Sequence, residues 1–565
     1  MHSANAVIIG TIYDFPVVKN KLNNTEFTKA LNSTEEGTMN TKTKLIAAAV
    51  ATFGVASAAQ AETLKFAFQG TLNALDPYSL NETFTLSALG NTYEGLTRRG
   101  ADLQIEPSLA ERWEVVEPNR WRFYLRQGVK FHNGNDFTAE DVAFSVDRVR
   151  SEGSDLTTRV PGDAKVEIVD DYTVDFVLTG PNPILHYEWD TFYIMDKEWT
   201  EANDAVKVTS ASDTTPNYAA LNANGTGPFK LVSHEPGVKT VYEKNDGWWD
   251  TAAHNLTTVE FTPIGSDATR VAALLSGEMD MVYPIPIQDI KRINDNDGTV
   301  ALTGPELRTI FLGMDQMRDE LLYSDVKGKN PFKDAKVRKA FYQAINIEAI
   351  KQKVMRNLAT PSAIMISPFL FSKSEEFERY PYDPQAAMDL LAEAGYPDGF
   401  SVGMDCPNDR YVNDEAICQA VAAMLARVGV KVDLNAQPKA KYFAKILASG
   451  GYDTSFYLLG WTPGSFDSFN VLSNLMNCRD EAGKGSPFNN GGWCDAKIDE
   501  LTQQILVEND PAKRDDMIAE AYKISHDNAY YIPLHQQGLA WGVADDVELV
   551  QRADNQFHFR FVTKN

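Results

Sequence analysis

The chain has 565 residues, of which 43% are hydrophobic and 23% charged, and a formal net charge of −25. That length exceeds what one hydrophobic core serves and implies about two to four domains. The acidic balance excludes a nucleic-acid partner, whose phosphates this surface would repel, and equally a polybasic attachment to anionic lipid.

An apolar run from Leu45 to about Ala59 is too short and too alanine-rich to span a bilayer. Lys42 and Lys44 precede it, and Ala59-Gln60-Ala61 closes it with small residues at cleavage spacing, the order of a secretory signal peptide. Residues 1–38 then read as an over-extended N-terminus, 39–61 as the signal peptide and Glu62 as the first mature residue. No cysteine follows the run, which argues against a lipid anchor.

The next elements follow in chain order. Leu64, Phe66 and Phe68 alternate as a strand. Trp113-Glu-Val115 and Trp121-Arg-Phe123-Tyr-Leu125 alternate on either side of Pro118-Asn119, a hairpin pattern. Thr138 stands three residues before Asp141 as an acidic capping box, with Phe137 placed to staple onto Val142, and a helix is expected through Val149. Tyr172 to Leu178 reads as a strand, and Phe229 to Glu243 as a second hairpin turning at Glu235-Pro-Gly237. Asp334 should cap a helix that buries Val337, Ala340, Phe341, Ala344 and Ile345 on one face. Asp383-Pro384 and Asp510-Pro511 should open two more, with proline at the first helical position. Strands and helices alternate irregularly, so the class is α/β with mixed α+β character.

An exported chain meets an oxidising compartment, so its four cysteines suggest disulfides. Four cysteines allow three connectivities, and the local one, Cys406–Cys418 with Cys478–Cys494, is preferred. Closing the second loop would stabilise the fold by roughly 3 kcal/mol. The spacings do not suit paired Cys-x-x-Cys zinc knuckles, and no metal or cofactor is expected.

The stretch from Leu109 to Val149 resembles the signature of the family 5 extracellular solute-binding proteins, the oligopeptide- and dipeptide-binding subunits of ABC importers. Asn91 to Leu96, Gly225 to Ser233 with Asn245 to Trp249, Val337 to Asn346 and Tyr382 to Tyr396 resemble further segments in the family's order. The resemblance implies a two-lobed periplasmic binding protein with an extra subdomain and a cleft that closes about a hinge. It places the first lobe at 62–95, 223–320 and 530–565, the subdomain at 96–222 and the second lobe at 321–529. A monomeric receptor is implied, with a small peptide or peptide-like solute and the membrane permease subunits as partners.

The same resemblance points to ligand contacts. Gly460-Trp461-Thr462 matches a segment that in dipeptide binders is followed two positions later by an Asp pairing with the peptide ammonium; here that position is Gly464. Asp467 is the nearest carboxylate, with a helix cap as its alternative role. Trp461 suits stacking on a ligand. Arg410 and Tyr411, in Asn408-Asp-Arg-Tyr411, fall where the family meets a peptide carboxylate, and an arginine fork takes both oxygens. Gly70 and Thr71 follow the first strand, in a loop that faces the cleft in the family.

Catalysis finds no support. The eight histidines are isolated or lie in the doubtful extension, and no nucleophile elbow, phosphate loop or dinucleotide fingerprint occurs. Two alternatives to a peptide receptor stand beside it. One is the same fold holding an oligosaccharide, an opine-like conjugate, or chelated nickel or haem; the other is an exported chaperone-like or structural protein. Free Arg and Asp in the cleft would favour a peptide, and many aromatics a sugar.

Overall fold

A computed structural model describes residues 62–565 apart from 158, 210–214, 448–449 and 481–484. The expected signal peptide at 39–61 and the expected extension before it lie outside the described residues. Glu62–Phe68 is a strand, and Ala110–Glu117 pairs antiparallel with Arg120–Leu125, with Trp113 opposite Phe123 and Val115 opposite Trp121. Alternation buries Trp121, Phe123 and Leu125, yet Val115 is 45% exposed, because its strand is the edge of a four-stranded sheet.

The helix Ala139–Val149 begins with a complete capping box. Thr138 N–H donates to Asp141 Oδ2 at 2.9 Å, and Thr138 Oγ1 accepts from Glu140 N–H at 3.3 Å. Such a cap contributes about 1 kcal/mol. Asp334, Asp383 and Asp510 cap the helices Ala335–Ala344, Pro384–Glu393 and Pro511–Asp527. Ile345 is buried as expected, but it lies one residue beyond its helix. Cys406–Cys418 and Cys478–Cys494 are disulfides, with Cα separations of 6.6 and 4.4 Å.

One 11-stranded mixed sheet runs through the molecule. From edge to edge its strands are Lys431–Gln437, Ser401–Pro407, Phe456–Trp461, Thr299–Met314, Tyr531–Ala544, Met281–Tyr283, Glu62–Phe68, Leu256–Pro263, Lys239–Lys244 and Phe229–Glu235. Ala359–Pro361 pairs with Tyr531–Ala544 off that path. The two long central strands, Thr299–Met314 and Tyr531–Ala544, divide the apolar interior. On one side Leu64, Phe66, Phe123, Val142, Phe261, Trp541 and Phe559 belong to one buried cluster, with a satellite around Val271, Leu274 and Ile293. On the other, Phe341, Val402, Val421 and Phe456 form one cluster, and Tyr457, Leu475, Ile498 and Tyr522 another. The side chains of 121–208 share the first cluster rather than enclosing one of their own.

The crossing strands pair in register from Thr299↔Ala544 to Pro305↔Gly538 and resume at Thr309↔Gln536. Glu306, Leu307 and Arg308 therefore face Gln537 alone, which is a bulge. Leu307 is fully buried, and its N–H donates to Ala553 O at 2.8 Å. The bulge falls between the two sets of cores, where a sheet that joins two lobes can flex.

Candidate functional site

The loop between Ser401–Pro407 and the helix Asp414–Ala426 is fixed from below. The Cys406–Cys418 disulfide ties the strand's end to the helix. Asp414, 3% exposed, accepts the N–H groups of Arg410 and Tyr411 on Oδ2, each at 2.9 Å, and that of Glu415 on Oδ1 at 2.9 Å. Burial still pushes the Asp414 carboxyl above the usual range, against these three donors. Two of these bonds tie successive loop amides to one buried carboxylate at the start of the helix, so the loop's side chains are presented on a constrained backbone.

What the loop presents is a cavity of about 520 Å³ between the two sets of cores. Phe68, Phe84, Tyr283 and Phe557 supply one wall; Arg308, Arg410 and Tyr411 supply much of the other. The volume lies within the roughly 300–1,000 Å³ typical of small-molecule sites. Phe68 and Phe84 stack on each other at 3.9 Å, and Tyr283 stacks on Trp541 at 4.1 Å, so those aromatic faces are already occupied. Tyr411 is 7% exposed, and a Cβ added at Gly460 would sit 2.8 Å from its ring. Gly460 thus lets the tyrosine ring approach the strand Phe456–Trp461 closely.

Arg410 is open to the cavity, and its guanidinium lies 5.1 Å from the centre of the Tyr411 ring. Among the described residues it makes no side-chain hydrogen bond or ion pair. Surrounding protein, followed by the charge of Arg308, pushes it below the usual arginine range. Arg308, with 14% of its side chain exposed, lies 5.8 Å from the centre of the same ring. Its Nη2 is 3.3 Å from Glu306 Oε1, and Nε donates to that oxygen at 3.3 Å. Burial opposes the Arg308 charge, but Glu306 and Tyr411 outweigh it and hold the guanidinium above its usual range. Gln537 links the bulge to the loop: its Nε2 donates to Glu306 Oε2 at 2.7 Å, and its Oε1 accepts from Val412 N–H at 3.0 Å.

The other residues singled out in the sequence lie elsewhere. Asp467 is not free to meet an ammonium group. Arg514 donates to both of its oxygens, at 2.6 and 2.7 Å, and Phe469 N–H donates to Oδ1 at 2.8 Å, capping the helix Ser468–Val471. Trp461 donates from Nε1 to Asn470 Oδ1 at 3.0 Å and packs against Phe488, outside the cavity wall. Thr462 Oγ1 is buried without a partner, also outside it. Gly70 and Thr71 follow the lining residue Gln69, and Thr71 donates to Asn73 Oδ1 at 2.7 Å rather than facing the cavity.

Glu306, Arg308 and Tyr283 line the cavity without having been read from the sequence. Gly304-Pro305 before a charged pair at i and i+2 was a usable signal, since proline disrupts a central strand. A second opening of about 450 Å³ separates Tyr187 and Leu103 from Phe369, Phe466 and Arg514. Arg99 reaches across there: its Nη2 donates to Ser465 O at 3.2 Å, and its guanidinium lies 4.2 Å from the Phe466 ring centre.

A sheet with two crossing strands, separate cores on either side and a rigidly walled cavity between them define a two-lobed binding protein of the hinge-closing kind. Residues 104–483 match the model of the bacterial extracellular solute-binding proteins, family 5 middle region, and the chain belongs to that family. It is 29% identical over 506 residues to a dipeptide-binding protein of Escherichia coli, covering 84% of this chain and 89% of that one. It is 26% identical over 499 residues to the glutathione-binding protein GsiB of Escherichia coli, covering 87% and 92%. Among solved structures, the periplasmic binding protein DppA of Helicobacter pylori in complex with the peptide STSA superposes with a TM-score of 0.69. That pair is 23% identical, covering 89% of this chain and 98% of the other. No helix among the described residues is long and apolar enough to cross a membrane.

Proposed function

We propose that this chain is a periplasmic receptor that captures a peptide or peptide-like solute between its lobes and delivers it to an inner-membrane ABC importer. The observation that carries this reading is Arg410, whose guanidinium makes no hydrogen bond or ion pair among the described residues, held on a rigid loop in a 520 Å³ interlobe cavity. A fork of donors so placed suits a carboxylate. The names of the relatives, a dipeptide-binding and a glutathione-binding protein, support a solute with free carboxylates. Two disulfides fit an oxidising compartment reached through the signal peptide at 39–61. On this reading the chain performs no chemistry on its ligand. The first lobe comprises 62–95, 223–320 and 530–565, the subdomain 96–222 and the second lobe 321–529.

A second reading, the same fold with a non-peptide ligand, gains from the engagement of Asp467 by Arg514, which removes the expected ammonium partner. A sugar is the weaker version of it, because the Phe68, Phe84 and Tyr283 faces are stacked within the protein.

Calorimetry with the peptide Ser-Thr-Ser-Ala and the dipeptide Met-Leu, each free and C-amidated, tests the carboxylate contact. Arg410→Ala should weaken binding of the free peptide by roughly 2–5 kcal/mol, about thirtyfold to several thousandfold. Arg410→Lys should recover part of that, since a point charge lacks the bidentate fork. Amidation should weaken wild-type binding and barely affect the alanine variant. Additive effects of the two changes would assign Arg410 a structural role; no binding of either peptide would reject the peptide reading.

A further inference from the structure

Arg410 is not the only cation at the cavity. Arg308 enters it from the bulge in the crossing strands, and the two guanidinium carbons stand 5.1 and 5.8 Å from the centre of one ring, that of Tyr411. By the triangle inequality they are no more than about 11 Å apart. Neither is fully satisfied. Arg410 has no carboxylate within ion-pair distance among the described residues. Arg308 shares a single oxygen of Glu306, at 3.3 Å from both Nε and Nη2, which is long for a charge-assisted bond of about 2.7–2.9 Å. The other Glu306 oxygen goes to Gln537. Two like charges this close repel, and the charge of Arg308 is among the causes that push Arg410 below the usual arginine range.

We infer that Arg308 and Arg410 form one anion subsite, so that a ligand carboxylate bonds to the hinge bulge and to the second lobe's loop together. This rests on the peptide-receptor reading and adds a second binding residue to it. In the empty cleft the arginine pair opposes closure. A carboxylate between the two reverses the sign of that force, because each guanidinium then meets an anion rather than its neighbour. Arg308 lies at the point where the strand register breaks, so the ligand's charge acts on the hinge itself. Glu306 is a positioning residue in this arrangement: it holds Arg308 from the side away from the ligand and, through Gln537, is bonded to the backbone of Val412 beside Arg410.

The test separates ligand binding from simple neutralisation of Glu306. Arg308→Gln alone leaves Glu306 buried without a cation, so the informative variant is the double change Arg308→Gln with Glu306→Gln, which keeps a neutral hydrogen-bonding pair. Calorimetry uses the tighter binder of Ser-Thr-Ser-Ala and Met-Leu, free and C-amidated, and circular dichroism verifies the fold. The double variant should lose about thirtyfold or more in affinity for the free peptide and change little for the amide. X-ray scattering should show the wild type contracting with the free peptide more completely than the variant at saturating ligand. Wild-type affinity for the free peptide in a folded double variant overturns the inference and assigns Arg308 only to Glu306. If that result comes with an intact Arg410 effect, the receptor reading survives. If Arg410→Ala also leaves affinity unchanged, the carboxylate contact falls with the inference, and only the failure of both peptides to bind would reject the receptor reading.

Discussion

Asp467 is the residue whose role can be measured most cleanly, because it is held in a bidentate pair with a buried arginine. The pair is bidentate, at 2.6 and 2.7 Å, and the two side chains are 10% and 11% exposed. Removing the carboxylate by Asp467→Ala leaves Arg514 with one backbone acceptor, Ile505 O at 3.1 Å, for a charge that water barely reaches. Breaking such a pair by deleting one partner typically costs about 3–5 kcal/mol. Losing the cap on the helix Ser468–Val471 adds about 1 kcal/mol. Asp467→Asn keeps an oxygen for Phe469 N–H and so spares the cap while losing the charge; it should fall between the alanine variant and the wild type. Urea unfolding followed by circular dichroism reads the stability, and calorimetry with Ser-Thr-Ser-Ala and Met-Leu reads the affinity. Affinity should stay within about threefold, or about 0.7 kcal/mol. A tenfold loss of affinity with less than about 1 kcal/mol of stability lost would return Asp467 to the ligand and refute the structural account.

Three further outcomes are expected. Ligand should contract the radius of gyration in X-ray scattering and, at a hundredfold excess over Kd, stabilise the fold by about 2.7 kcal/mol in thermal unfolding; binding without contraction would reject hinge closure. Non-reducing peptide mapping should join Cys406 to Cys418 and Cys478 to Cys494, and replacing the first pair by serines should cost about 3 kcal/mol; four free thiols in exported protein would contradict it. Acid should destabilise the fold through buried histidine. His535 is fully buried and held down to about 3 by burial, against about 6.5 when unfolded, so the folded state binds fewer protons between those values. Stability should therefore be full above about pH 6.5 and fall on acidification through that window, at up to about 1.4 kcal/mol per pH unit from this residue, and His535→Gln should flatten the slope.

Much of the local structure was legible because its causes are local. Asp334, Asp383 and Asp510 act as caps within three residues of themselves, and a hairpin such as Ala110–Glu117 with Arg120–Leu125 is written in a few adjacent residues. The class of protein came from resemblance, not from periodicity. The exposure of Val115 was not legible, because being an edge strand depends on which distant strands pair. The site divided along the same line. Arg410 and Tyr411 sit on one short loop whose neighbours in sequence fix it. Glu306 and Arg308 reach the cavity because two strands more than 200 residues apart slip register; Gly304-Pro305 marks a local break there, but not which distant strand the bulge faces. The partner of Asp467, Arg514, lies 47 residues on and was not legible from its neighbours in sequence.

The interleaving of the chain has a consequence for how the molecule is made. The clusters around Phe341 and Tyr522 draw only on residues 310–534, one continuous stretch whose contacts can form as soon as it is complete. The cluster around Phe66 needs residues from both ends: Leu64 and Phe66 pack with Leu539, Trp541, Phe557 and Val562. Closing that loop carries the entropy of several hundred intervening residues, a cost that grows only slowly with length but delays the contacts that offset it. One half of the molecule can therefore assemble on its own, while the other stays open until the final strand arrives. Truncation within 539–562 should weaken the first half, whose cluster loses residues such as Trp541, Phe557 and Phe559, and leave the second largely intact. The order of assembly is set by topology: Phe557, Phe559 and Val562 pack with Leu64 and Phe66, on the strand that begins the described chain.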